Sequence, residues 1–549
     1  MSENSWNTGD TPLEMLLEEE ARRQYKSIDL DKLAEISARV HGNGGKCTAL
    51  PTLTRIGGSN IVVFLAFDDQ EDTRWTARFP VRGMITFDND LLSDVVESMV
   101  ATMQYVAERT CIPVPKVHYW SSTSDNELGR PFVLMDAAKG VSLYDLEQVG
   151  ISMDESIQKL SGFIDQWAMY TAELASLSFP QIGSLFQNPD SSRRVGKLCT
   201  AANLHYLHFL QKSDQFRGPF RSVADFLIKT SELKIQGRKA NTEINPYSYD
   251  DFLRDKLIET LIPYYLEPDV VNGPFVLSHS DFDLRNILVD QKNGFKITGV
   301  VDWDLAAIVP LQSHLRVPDL LICDQWTSSR RETKAVAGWQ LELAKRYRPL
   351  YKQCLRRHLL AKSFNKYLLD ILDEDGYHWS HLVWLISENS DEDGAELDVL
   401  WKNVYGPDVS WQEVVKNMTT ATWGSVMAER LALPLPEDLE AQAEGEERPT
   451  SSRPLTEDTL MSPHPVPKGF GWKARSANKL RWGWWHTKQF VLFRTGNSDR
   501  IPILMDHRGE VGVREKGKIR TISPKRLKRG SSETKNGKVV ASNLKGKVE

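Results

Sequence analysis

Apolar residues recur at helical spacing through the first 45 residues. Leu13, Leu16 and Leu17 share one face, as do Leu33, Ile36 and Val40. The turn formers His41-Gly42-Asn43-Gly44-Gly45 end that stretch. From about residue 50 the pattern changes to that of strands. Ile61–Phe67 is rich in β-branched and aromatic residues, Asp68 to Thr73 is a polar turn, and Arg74–Val81 reads as a second strand. Residues 89–109 return to helix, stopped by Ile112-Pro113-Val114-Pro115. Short strands are expected at Lys116–Trp120 and Pro131–Met135, then long helical patterns over about 142–270. A β-rich stretch follows at 275–302. Phe275–Leu277 is a short strand, and Ile287–Val289 and Phe295–Val301 flank the five-residue hairpin loop Asp290-Gln291-Lys292-Asn293-Gly294. Helices dominate from about 330 to 431, where Trp339, Leu343, Tyr347 and Tyr351 form an apolar stripe that reads as core.

Between about 434 and 468, prolines, glutamates and serines cluster as in a disordered linker. Beyond it, short β-like runs at Gln489–Arg494, Arg500–Met505, Glu510–Arg514 and Lys518–Ile522 are separated by turn residues. Such spacing suggests a small β-barrel. The expected organisation is therefore a helical segment (1–45), a β-rich lobe (46–137), a helical lobe (138–432), a linker (433–468), a small basic β-rich domain (469–530) and a polar tail (531–549).

Composition narrows the class. The chain has 549 residues, 41% hydrophobic and 26% charged, which excludes wholesale disorder, collagen or a small disulfide scaffold. Its longest uninterrupted apolar run, Ile61–Phe67, is far short of the ~20 residues of a bilayer span, so no membrane is expected as a partner. The first dozen residues are polar and acidic and lack the apolar centre of a secretion signal. Cys47, Cys111, Cys199, Cys323 and Cys354 lie far apart with no Cys-x-x-Cys pair, which fits free thiols in a reducing compartment. The expectation is a cytoplasmic protein, with a nuclear import signal as an open reading of Lys525-Arg526-Leu527-Lys528-Arg529. The net charge of −6 conceals an asymmetry. Residues 468–549 hold 21 Lys plus Arg against 6 Asp plus Glu, or +15, which leaves −21 on the first 467. Two units with different partners are implied.

The stretch Leu277-Ser278-His279-Ser280-Asp281-Phe282-Asp283-Leu284-Arg285-Asn286-Ile287-Leu288-Val289 is followed by Gly299-Val300-Val301-Asp302-Trp303-Asp304. Reduced to its parts it is His-x-Asp, four residues, Asn, a hairpin, and an apolar strand ending in Asp. Phosphoryl transfer needs positioning, neutralisation of phosphate charge and a group to take the hydroxyl proton. Asp281 suits the last role. Asn286 offers a neutral oxygen and Asp302 a charged one, a pair suited to octahedral magnesium. His279 suits holding the catalytic loop by hydrogen bonding. Any one of these residues alone would read as a solvated acid or a buried histidine; their joint spacing between two apolar strands is the informative feature.

On these motifs the sequence resembles the aminoglycoside phosphotransferase and choline kinase-like family of protein-kinase-like folds, in its fungal form. The resemblance implies an α+β fold with a small β-rich lobe and a larger helical lobe. It implies that ATP and Mg2+ bind between the lobes and that a small-molecule hydroxyl is phosphorylated. It assigns Asp281 as the catalytic aspartate and Asn286 and Asp302 as metal ligands. Val301-Asp302-Trp303-Asp304-Leu305-Ala306 resembles the family's Asp-Trp-Glu-x-Ala segment. Arg55-Ile56-Gly57-Gly58-Ser59-Asn60 resembles its nucleotide loop, where glycines let backbone N–H groups approach phosphate. Pro131-Phe132-Val133-Leu134-Met135-Asp136 resembles the strand before its hinge, which places adenine near Met135 to Ala137.

Two positions depart from the pattern. The lysine expected on the third strand is Arg78, whose planar fork grips phosphate differently. The helix glutamate that pairs with that cation is replaced by Met99, with Glu97 two residues earlier. Two residues turn a helix by about 200°, so either the helix register shifts and Glu97 pairs with Arg78, or the pair is absent. Two functions stay open: an ATP- and magnesium-dependent phosphotransferase, and a catalytically weak kinase-like scaffold whose basic domain binds nucleic acid or protein. Trp472, Trp482, Trp484 and Trp485 lie among Lys473, Arg475, Lys479, Arg481 and Lys488. That interleaving suits single-stranded nucleic acid, and equally a barrel core inside a solvated basic surface.

Overall fold

The computed structural model describes residues 12–42, 44–57, 60–69, 73–81, 89–145, 156–200, 206–207, 210, 214–240, 247–321, 338–387, 394–420, 427–429, 431 and 433–435, with short strands between 503 and 521. Its contacts divide into two compact units, Met1–His464 and Pro465–Glu549.

The first unit opens with helices α1 (Pro12–Lys26) and α2 (Leu30–His41). Asp29 caps α2 by accepting from Lys32 N–H, and Gly42 ends it at φ 78°, a conformation glycine adopts without a Cβ penalty. An antiparallel sheet follows: β1 (Cys47–Ile56), β2 (Asn60–Phe67), β3 (Arg74–Pro80), β4 (Val117–Ser121) and β5 (Phe132–Asp136), in the order β1-β2-β3-β5-β4. Helix α3 (Asn89–Arg109) lies between β3 and β4 in the chain. Along β2 the alternation is strict, with Ile61, Val63, Leu65 and Phe67 buried. They meet Trp75, Ala77 and Phe79 of β3 and Leu33 and Ile36 of α2 in one core. Period-two alternation then sends Arg78 to the other face, in register with Val62 and Val133. The position of a single cation is thus fixed by the apolar face of its own strand.

The helical lobe is built around α4 (Ser161–Ala175), α5 (Val223–Ala240), α6 (Tyr249–Tyr265), α7 (Gly338–Ala361), α8 (Lys366–Ser387), α9 (Gly394–Tyr405) and α10 (Trp411–Thr420). Leu343, Tyr347 and Tyr351 of α7 are buried. The Tyr347 hydroxyl donates to Ile157 O at 2.6 Å, and the Tyr351 hydroxyl lies 3.0 Å from that of Thr171. These three positions of the stripe are core, as its spacing predicts, and the Trp339 side chain lies outside the described residues. Short strands thread this lobe: β6 (Val141–Ser142), β7 (Ser178–Phe179), β8 (Ser184–Gln187), β9 (Arg193–Gly196), β10 (Phe275–Ser278), β11 (Ile287–Asp290), β12 (Lys296–Val300) and β13 (Ala307–Val309). They form the small sheets β13-β10-β7, β12-β11-β6 and β8-β9. The continuous helical reading of 142–270 is therefore interrupted. Strands of two to four residues are too short to display a period.

His314 is buried, with Nε2 2.8 Å from Thr171 O. Burial drives its pKa down to about 4. The unfolded chain binds the proton first, so His314 contributes stability that is full above about pH 6.5 and lost as pH falls toward 4. A His314→Gln variant is expected to show a shallower loss of unfolding free energy over that window, by up to about 1.4 kcal/mol per pH unit. A pH series of melting curves for both chains checks this.

In the second unit three strands pair antiparallel in sequence order: β14 (Ile503–Met505), β15 (Val511–Glu515) and β16 (Lys518–Thr521). The run expected at 489–494, the tryptophan cluster and Lys525–Arg529 lie outside the described residues. No helix among the described residues is long and apolar enough to cross a membrane.

Candidate active site

Two loops carry the candidate chemistry. Residues 279–286 join β10 to β11, and residues 301–306 join β12 to β13. The antiparallel β11–β12 pair sets Ile287 opposite Val300. The loops therefore leave the hairpin side by side, and Val301 N–H donates to Asn286 O at 2.9 Å. His279 ties them again, with Nε2 2.9 Å from Val301 O. A carbonyl only accepts, so Nε2 carries the proton. Burial pushes the His279 pKa below its ordinary value against the pull of nearby Asp302, so the ring is neutral and its role is to tie the loops together. Trp303 seals the base, buried, with its indole N–H on Val300 O at 2.9 Å and its ring 4.5 Å from that of His279.

Asp281 is exposed and Asn286 buried. The Asn286 Nδ2 donates to Asp281 O at 2.9 Å and to Asp281 Oδ2 at 2.8 Å. With that nitrogen committed, the amide oxygen is the Asn286 side-chain atom left for a cation. Asp302 keeps 41% of its side chain exposed. Ser280, Asp302 and Leu305 hold φ values of 70°, 67° and 61°, and the Ser280 hydroxyl donates to Leu305 O at 2.8 Å. Left-handed conformations at non-glycine residues cost free energy and gather where a site needs a particular geometry.

Arg78 reaches this point from the β-rich lobe. Its side chain is 11% exposed, and its Nη2 donates to Asp302 and, at 2.5 Å, to Asp304 Oδ2. Asn60, at the end of the glycine loop, donates its Nδ2 to the same Asp304 Oδ2 at 2.7 Å. Burial pushes the Asp302 carboxyl up, but Arg78 outweighs it and holds the group below the ordinary carboxylate range. Asp304 goes the other way: burial and the neighbouring Asp302 raise it despite Arg78 and Asn60. Two carboxylates share one guanidinium, so the cluster retains appetite for a further cation.

The remaining expected residues fall as follows. Glu97 does not reach Arg78 among the hydrogen bonds of the site; it accepts from Ser122 Oγ at 3.1 Å and Ser93 Oγ at 3.4 Å. Met99 is buried. Gly57 N–H donates to Asn60 O at 2.9 Å, while Gly58 and Ser59 lie outside the described residues. Met135 is buried in β5. The N–H groups of Asp136 and Ala137 donate to Lys116 O and Arg74 O. Asp304 and Asn60 were not singled out from the sequence, although Asp304 stands at the glutamate position of the Asp-Trp-Glu-x-Ala segment.

Residues 53–313, which contain all of these groups, match the model described as the phosphotransferase enzyme family, APH. This part of the chain is similar to that family over 261 of its 549 residues. The matched region has the expected α+β architecture, with a β-rich amino-terminal part and a helical part. Among curated relatives, the subtelomeric hrmA-associated cluster protein of Aspergillus fumigatus is 25% identical over 266 residues, 39% of this chain and 50% of that protein. Altered inheritance of mitochondria protein 9, mitochondrial, of Lachancea thermotolerans is 29% identical over 352 residues, 54% of this chain and 56% of that protein. The chain thus spans about half the length of the curated relatives it matches. Among solved structures, Plasmodium vivax ethanolamine kinase is 13% identical at TM-score 0.34, covering 72% of this chain and 84% of that one. A thermostable mutant of aminoglycoside phosphotransferase APH(4)-Ia, in ternary complex with ADP and hygromycin B, is 16% identical at TM-score 0.34, covering 67% and 98%. The cytoplasmic expectation is overturned by the relatives: the altered inheritance of mitochondria proteins are named as mitochondrial.

Proposed function

We propose that the phosphotransferase region transfers the γ-phosphoryl group of ATP, with magnesium, to a hydroxyl of a small molecule. The observation that carries this reading is the meeting of Asp281, Asn286, Asp302 and Arg78, supplied by two loops of one lobe and one strand of the other. The residues fit a magnesium ion. Asn286 offers one neutral oxygen and Asp302 one exposed carboxylate, and magnesium is ordinarily completed by phosphate oxygens and water. When bound, the ion would neutralise phosphate charge. Asp281, exposed and oriented by the Asn286 amide, would accept the proton of the acceptor hydroxyl. Arg78 and the loop at Gly57, Gly58 and Ser59 would hold the phosphates, with adenine near Met135 to Ala137.

The reading keeps 46–137 as the nucleotide-binding lobe and 138–432 as the lobe carrying the catalytic loop. The charge of −21 on the first 467 residues favours a cationic acceptor through the field of the whole lobe. The names of the mitochondrial relatives support a mitochondrial location. A second reading, a kinase-like scaffold, is favoured by one observation: Arg78 is bonded to the very carboxylate that would take the metal.

Thermal midpoints of the wild-type chain and Asp302→Ala, with and without Mg·ATP, decide between them. A ligand at 100 times its dissociation constant stabilises the native state by about 2.7 kcal/mol. The wild type is expected to shift upward with Mg·ATP and Asp302→Ala is not. An unshifted wild type returns the scaffold reading.

A further inference from the structure

The geometry points to Asp304 as the residue that aims Arg78, in the role a helix glutamate fills in other kinase-like folds; this rests on the phosphotransferase reading above. The position that would offer a carboxylate from α3 is Met99, buried and apolar. The nearest acid on that helix, Glu97, is engaged with Ser93 and Ser122. Arg78 nevertheless needs a counter-charge, because it is almost wholly buried and an unpaired buried cation is costly. Asp302 cannot be its standing partner in the working enzyme, since that carboxylate is assigned to the metal. Asp304 can. It is anchored by Trp303, packed beneath the loop, and its Oδ2 takes Arg78 Nη2 at 2.5 Å and Asn60 Nδ2 at 2.7 Å. One carboxylate oxygen thus holds both the phosphate-contacting cation and the end of the glycine loop.

The sequence of contacts follows from charge. Without nucleotide, Arg78 bridges Asp302 and Asp304. With Mg·ATP bound, Asp302 would serve the metal, and the N–H of Arg78 Nη2 that it releases would be available to phosphate while Asp304 keeps the other N–H of the same nitrogen. Asp304 is a positioning residue: it touches neither nucleotide nor acceptor and acts through Arg78 and Asn60.

A double-mutant cycle tests this. Asp304→Asn, Arg78→Ala and the pair are compared for Mg·ATP affinity, for kcat against KM for ATP, and for thermal midpoint. Each single variant is expected to weaken Mg·ATP about tenfold, and the pair no more than Arg78→Ala alone, because Asp304 has nothing left to aim. Asp304→Glu is expected to keep affinity within about threefold of wild type, since the charge and acceptor oxygens are retained. A purely structural Asp304 would instead lower the thermal midpoint and kcat with or without Arg78. Single effects that multiply to about a hundredfold in the pair overturn the inference while leaving the function standing. A wild-type chain that binds no Mg·ATP overturns the function and the inference with it. Should Asp304→Asn fail to fold, Asp304→Ser, which preserves a polar acceptor for Asn60, completes the same cycle.

Discussion

Asp281→Asn is expected to lower phosphoryl transfer by about 10²–10⁴-fold, the usual contribution of a positioned proton acceptor. The loss should fall on kcat rather than on nucleotide affinity. Asn286 Nδ2 bonds both Asp281 O and Asp281 Oδ2; the backbone contact survives the substitution, and an amide oxygen can replace the carboxylate oxygen. The Asn286 carbonyl bond from Val301 N–H is likewise untouched. The cation site therefore stays assembled while the acceptor hydroxyl loses its base. Rapid-quench measurement of product with any accepted hydroxyl compound, beside a Mg·ATP midpoint shift, separates the two terms. A variant that binds nucleotide like wild type and transfers equally fast removes Asp281 from the mechanism.

The largest stability effect is expected at Asp255. This carboxylate is fully buried, and its Oδ1 lies 2.8 Å from Lys234 Nζ while its Oδ2 accepts from the Tyr247 hydroxyl at 2.8 Å. Lys234 also donates to Leu385 O at 2.7 Å, so the pair sits where α5, α6 and α8 meet. Burial would raise the Asp255 pKa, but Lys234 pulls it below its ordinary range; burial lowers that of Lys234 despite the pairing. Asp255→Ala leaves a buried ammonium without its counter-charge and is expected to cost about 3–5 kcal/mol. The cost carries its own pH signature. Lys234 can escape by shedding its proton, while the unfolded chain holds it up to about pH 10.5. The variant should therefore recover stability relative to wild type as pH rises toward that value. Lys234→Met combined with Asp255→Leu should cost much less than Asp255→Ala alone. Urea unfolding of the three chains at pH 6 and pH 9 checks both statements.

What could be read from the sequence divides by range. The catalytic loop, the hairpin and Asp302 are close in the chain, and a five-residue loop between apolar runs dictates a fold-back by itself. The β-branched and aromatic run Ile61–Phe67 placed β2, and the resemblance put Arg78 at the third-strand cation position; the face it occupies came from the structure. The strand β1 escaped, because most of Cys47–Ile56 is exposed or half-buried and Pro51 interrupts it. The pairs that define the site's electrostatics also escaped. Arg78 lies 224 residues from Asp302 and 226 from Asp304, and Asn60 lies 244 from Asp304. No local pattern encodes such contacts. Helical geometry did give Glu97 and Met99 opposite directions, and it left two outcomes for Arg78. Glu97 is bonded to Ser93 and Ser122 instead, and the partners Arg78 takes from the other lobe came from packing alone.

Helix α3 has ties on both sides. Glu97 accepts from Ser122 beside β4, while Asp94 meets the buried Arg217 at 2.7 Å and Leu91 and Val95 pack with Phe186 and Cys199 of the helical lobe. The chain itself crosses between the lobes after β5. Two separate attachments define an axle. A small lobe held at both points can swing about that line and has little freedom to twist or slide across it. Rotation about that line would have to break the bridge from Arg78 and Asn60 to the 301–306 loop, which ties the lobes at a further point.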